Sequence, residues 1–172
     1  MKFKIMLMSL AFVASNLLAN EFVDYDALTK QLKAEATKKG NYATEAEVKA
    51  AIESKDWLVA DVRTMEEWAA AHIKGTVRIG RQAPENALAL HALDAQDNFV
   101  KQNLIVICNS AARASIEAET FRKMGFKTVK IYDLYSWIDS CNPVVTNYSV
   151  KNHKPGTGLK FGAFYAEHCS KK

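Results

Sequence analysis

Cys108 is the residue of this 172-residue chain best placed for covalent chemistry. It ends the apolar run Leu104-Ile105-Val106-Ile107 and is followed by Asn109-Ser110-Ala111-Ala112-Arg113. Four small or polar residues can curl so that successive backbone N–H groups point inward, and a helix starting there adds its positive end. Such a cradle stabilises an anion, so a cysteine inside it is set up to react as a thiolate nucleophile. Arg113 closes the loop with a permanent positive charge suited to an oxyanion such as a thiosulfate or sulfonate group. A buried cysteine that merely finishes a strand would explain Cys108 alone. It does not explain the loop, the arginine and the helix start together.

These residues need a scaffold, and its elements follow from periodicity. Asp24 to Lys39 carries Tyr25, Leu28, Leu32 and Ala36 at helical steps before Gly40, a usual helix stop. Thr44 with Glu47 and Thr64 with Glu67 are capping boxes, predicting helices to about Ser54 and Ala71. Further helices are expected over Glu85 to Leu93, Ser115 to Met124 and Leu134 to Ile138. Trp57 to Ala60, Val77 to Ile79, Leu104 to Ile107 and Thr128 to Ile131 are strand candidates. Strands alternating with helices of this length predict an α/β domain: a mostly parallel central sheet of about five strands, with helices on both faces. In such sheets ligands bind beyond the carboxyl ends of the strands, where Cys108 stands.

The ends of the chain differ from this core. Lys2 and Lys4 precede an apolar run from Ile5 to Leu18, the layout of a secretory signal peptide, with cleavage expected after Ala19 and Ala14 as the fallback. The run is shorter than the ~20 residues a membrane span needs, so a periplasmic or secreted protein without stable membrane insertion is expected. Cleavage removes two lysines and no acid, taking the formal charge from +4 to +2, which argues against a nucleic-acid partner. Residues 20–42 form an N-terminal helical extension. From Asn142 the pattern fades into Pro143, Pro155, Gly156 and Gly158, so an irregular tail over 146–172 is expected.

Over Ala43 to about Val145 the chain resembles the rhodanese family, in four matches that keep the family's order. Leu58-Val59-Ala60-Asp61-Val62-Arg63 with Glu66-Glu67-Trp68 resembles its strand and acidic helix start. His72-Ile73-Lys74-Gly75 resembles its His-Ile-Pro-Gly segment, Cys108 to Arg113 its active loop, and Phe121 to Val129 the helix end and strand that follow. The wording of the loop is most similar to the periplasmic polysulfide-sulfur transferases. The resemblance implies a three-layer rhodanese-like domain over 43–145 and a six-residue loop sized for sulfur. Related phosphatases and arsenate reductases use one residue more.

The implied reaction is attack by Cys108 on the sulfane sulfur of thiosulfate or a polysulfide, then transfer from a Cys108 persulfide to a thiol, cyanide or protein acceptor. Asn109, Ser110, Ala111, Ala112 and Arg113 would bind the substrate, and no metal or organic cofactor is required. A non-catalytic sulfur-carrier or partner-binding module is the alternative. Asp61 and Arg63 are expected to be structural support, an ion pair joining helix and strand, more than groups orienting the loop. His72 is expected in packing rather than as a base, and Arg78 and Arg81 on a solvated surface rather than lending charge to the cleft. Tyr132-Asp133-Leu134-Tyr135-Ser136-Trp137 stands where the family has a glycine-rich turn, with bulk that would narrow the pocket or alter acceptor docking. Cys141 and Cys169 are assigned to a disulfide holding the tail, with a resolving thiol for Cys108 as the rival.

Overall fold

The computed structural model describes residues 22–147 and 163–171. The expected signal segment, 1–19, and the middle of the tail, 148–162, lie outside the described residues.

Local signals account for most element starts. Helix α1 (Tyr25–Lys38) begins where the Asp24 carboxylate accepts from the Ala27 N–H at 2.8 Å. Helices α2 (Glu45–Glu53) and α3 (Met65–Ala70) begin at the two capping boxes, each reciprocally bonded. The remaining core elements are β1 (Trp57–Asp61), β2 (Val77–Arg78), α4 (Pro84–Ala92), β3 (Asn103–Cys108), α5 (Ala112–Lys123), β4 (Thr128–Asp133) and α6 (Leu134–Asp139).

The central sheet is parallel throughout, in the order β2-β1-β3-β4. It has four strands where about five were expected. The fifth position, outside β4, is held by a single bridge from Tyr42 to Ile131, because only Asn41 to Ala43 run extended between α1 and α2. Alternation along the strands splits the core in two. Leu104, Val106 and Cys108 face Ala36 of α1, Leu88 of α4 and Phe121 of α5, whereas Ile105 and Ile107 face Val48 of α2 and Trp137 of α6. The result is a three-layer arrangement.

The turn between α3 and β2 needs a glycine. Gly75 has φ +90°, and a Cβ there would lie 2.5 Å from the Ile52 Cγ2. Lys74 in place of a proline therefore leaves the turn itself intact.

The tail departs from the irregular course expected of it. Val144–Val145 (β5) pairs antiparallel with Ala163–Phe164 (β6), and Glu167–Lys171 forms a short 3-10 helix. This ribbon is anchored from outside: His72 and Val145 exchange backbone hydrogen bonds at 2.8 and 2.9 Å. Among the described residues no helix is long and apolar enough to cross a membrane.

Candidate active site

Because the sheet is parallel, the ends of all its strands share one edge, where Arg78, Asp61, Cys108 and Asp133 come together. The register pairs Arg78 with Asp61, and Cys108 with Asp133. Cys108 is 1% exposed and is the free cysteine of the described chain.

Helix α5 starts at Ala112, three residues earlier than the sequence pattern suggests, so Ala112 and Arg113 belong to its first turn. Its N-cap is Ala111, buried, with φ +60° and no side-chain cap. A left-handed alanine costs ~1–2 kcal/mol, a strain typical of sites where the chain must curl tightly. Among the described residues, the N–H groups of Ser110, Ala111 and Ala112 have no protein acceptor. These open donors at a helix start are what an anion requires.

A polar network clamps the loop. Arg63, 2% exposed, donates from Nε and Nη2 to the Asp61 carboxylate, equally buried, at 2.7–3.0 Å. Its guanidinium also donates to the carbonyls of Ala71 (2.6 Å) and Glu67 (3.3 Å) and to the Asn109 Oδ1 (3.2 Å). Arg63 thus bridges Asp61, the end of α3 and the loop residue Asn109. Asn109 is held twice more: its Nδ2 donates to the Glu67 Oε1 at 2.8 Å, and its carbonyl accepts from the Tyr135 N–H at 3.2 Å.

Arg113, expected to bind substrate, is paired with Glu67. Both guanidinium arms meet the Glu67 carboxylate at 2.7 Å. This bidentate pair holds Glu67 down at about 2, chiefly through the Arg113 hydrogen bonds. Glu67 in turn raises Arg113, and Cys108 acts in the same direction, so the sulfur lies within electrostatic reach of the guanidinium.

Glu67 was legible in sequence only as a capping residue; its second use, 46 positions away, had no local signal. Tyr42 was likewise missed. Its hydroxyl donates to the Asp133 Oδ2 at 2.8 Å, and burial first, then that bond, push the phenol well above its ordinary value. From α1, the Lys33 Nζ approaches the Ser110 carbonyl at 3.4 Å.

Residues 44–134, more than half of the sequence, match the model of the rhodanese-like domain. The chain belongs to the rhodanese-like family. It is 35% identical over 71 residues to a putative sulfur carrier protein of Bacillus subtilis, YrkF, covering 41% of this chain and 35% of that protein. The chain thus spans about a third of the length of that curated relative. Among solved structures, the polysulfide-sulfur transferase homodimer of Wolinella succinogenes is 27% identical, over 68% of this chain and 86% of that one, with a TM-score of 0.48. A Rhodopseudomonas palustris protein of unknown function, RPA3614, named as a possible tyrosine phosphatase, is 19% identical over 70% and 92% of the two chains, with a TM-score of 0.49.

Around the rhodanese loop the other expected residues fall as follows. His72 is buried, stacks on Trp68 with ring centroids 3.7 Å apart, and its Nδ1 lies 2.9 Å from the Trp68 carbonyl. Burial lowers it from its ordinary value, consistent with packing. Tyr132, Leu134 and Trp137 belong to the core cluster on the sheet face opposite that of Cys108. Tyr135 is exposed and acts on the loop through its backbone N–H. Cys141 and Cys169 form a disulfide, with Cα atoms 5.5 Å apart. With His168 they gather three ligand-type atoms within 4.8 Å, but both sulfurs are committed to each other.

A cleft of about 720 Å³ is lined by Thr64, Arg78, Arg81 and Asn86 among others, and not by Cys108. A smaller pocket of about 160 Å³, lined by Tyr25, Val62, Arg81, Arg113, Ile116 and Glu117, shares Arg81 with that cleft.

Proposed function

We propose that this rhodanese-like protein is a sulfurtransferase that moves a sulfane sulfur from thiosulfate or a polysulfide to a thiophilic acceptor through a persulfide on Cys108. The Cys108 thiolate attacks the outer sulfur of the donor. A new S–S bond forms, and the donor's own S–S bond breaks with its electron pair leaving on sulfite, or on a polysulfide one sulfur shorter. A nucleophilic acceptor then takes the outer sulfur and returns Cys108 as thiolate.

The observation that carries this reading is the six-residue turn from Cys108 to Arg113, with unpaired amides at a helix start. Those donors suit the charge on the terminal sulfur of a persulfide. Arg113, neutralised by Glu67, acts here by fixing the turn and the local field rather than by gripping a free oxyanion. Burial of Cys108 would shield the persulfide from bulk thiols. The chemistry as written uses neither metal nor organic cofactor.

The same burial, and the relative named as a putative sulfur carrier, favour a second reading in which Cys108 takes up sulfur without rapid turnover. Export to an oxidising compartment belongs to the proposal as well, supported by the basic start and apolar run of residues 1–19 and by the disulfide.

Mass spectrometry after incubation with thiosulfate or polysulfide tests the reading. A gain of one sulfur is expected in the native protein and none in Cys108→Ser. Several turnovers per protein on adding a thiol distinguish the transferase from the carrier. No adduct from either donor, with folding intact, overturns both.

A further inference from the structure

The 720 Å³ cleft is far larger than a thiosulfate or cyanide ion needs, and its lining is not random. Arg78 ends β2 and Arg81 follows three residues later, so both stand at the functional edge of the sheet. Among the described residues neither guanidinium has a hydrogen bond or an ion pair within 4 Å; Arg78 acts on Glu66 only at longer range. The Arg78 guanidinium lies against Gly80, another lining residue, where a Cβ would come 2.8 Å from its Nη1. Two unpaired guanidinium groups in a cleft attract carboxylates and hold them bidentately. Glu66 offers an opposite charge, Gln82 and Asn86 can both donate to and accept from amides, and the exposed Met65 and Leu90 add apolar rim.

Arg81 lines both the cleft and the 160 Å³ pocket, whose lining also includes Val62, just after β1, and Arg113, which closes the active loop.

We propose that the cleft is the acceptor subsite and that it takes a zwitterionic, carboxylate-bearing peptide thiol, with Arg78 and Arg81 reading the carboxylates. This deepens the sulfurtransferase reading and rests on it. The thiolate of the bound peptide attacks the outer sulfur of the Cys108 persulfide. The acceptor leaves as a persulfide carrying that sulfur and its proton, and the electron pair of the broken S–S bond returns to the Cys108 sulfur.

The probes are glutathione and its diethyl ester, which share one thiol and differ in their carboxylates. Protein charged with sulfur and freed of donor is mixed with each, and loss of the persulfide is followed by mass. Native protein is expected to prefer glutathione, and Arg78→Gln with Arg81→Gln to lower the ratio of the two rates about tenfold, as ~1.4 kcal/mol of lost charge recognition would. Arg78→Lys should restore part of the ratio. An unchanged ratio in the double variant, with normal charging of Cys108, overturns the subsite and leaves the transferase standing. If Cys108 does not charge at all, the transferase fails, and NMR titration of the uncharged protein with glutathione still decides the cleft. Shifts at Arg78, Arg81 and Asn86 that vanish in the double variant support it; none in the native protein refutes it.

Discussion

The chain uses cysteine in two ways, at opposite levels of protection. Cys108 is reduced, buried under a helix start and surrounded by charges that pair with one another: Asp61 with Arg63, Glu67 with Arg113. Cys141 and Cys169 sit at a partly exposed margin and hold the 3-10 turn of the tail covalently to the end of α6. One region is fixed by polar geometry around a thiol that must stay free, the other by giving up its thiols. The lesson is that spacing from the sheet edge, and not residue type, separates the reactive cysteine from the structural pair.

Breaking the polar clamp should cost most. Arg63→Ala leaves the Asp61 carboxylate buried without its partner, for which an expected loss is about 3–5 kcal/mol in urea unfolding. Sulfur uptake should fall with it, because Asn109 loses one of its three supports. A variant as stable as the native protein would show that the pair contributes little to the site.

Breaking the covalent clamp should cost less and leave the chemistry alone. Serine at both Cys141 and Cys169 opens a link spanning 28 positions, worth about 3 kcal/mol on the chain-entropy view. Sulfur uptake by Cys108 should persist. Its disappearance would mean that the two cysteine regions are coupled after all.

The smallest expected effect is a titration. Glu67 is held at about 2, below its ordinary 4.5, so its contribution to stability is present above pH 4.5 and is lost as pH falls toward 2. In thermal unfolding across that window, Glu67→Gln should flatten part of the native protein's decline. Parallel curves for the two proteins would remove Glu67 from the acid response.

What was legible in the sequence follows the range of the forces involved. Thr44 with Glu47 and Thr64 with Glu67 predicted helix starts because a capping box closes within three residues. The start of α5 was misplaced because its cap, Ala111, offers no side-chain signal and adopts a left-handed backbone that only the packed loop imposes. The tail ribbon was invisible because what holds it, from the pairing of β5 with β6 to the bridge from His72, comes from elsewhere in the chain.

By itself the sequence determined the alternation of elements, the position of Cys108 at a strand end and the length of its loop, since these depend on neighbours a few residues apart. Only the tertiary structure decided that Arg113 is already paired, that Glu67 serves two masters, that Arg63 reaches the active loop, and that the Arg78 and Arg81 guanidinium groups find no partner among the described residues. Hydrogen bonds and ion pairs between residues more than forty positions apart exist only once the sheet has set its register, and no local pattern encodes them.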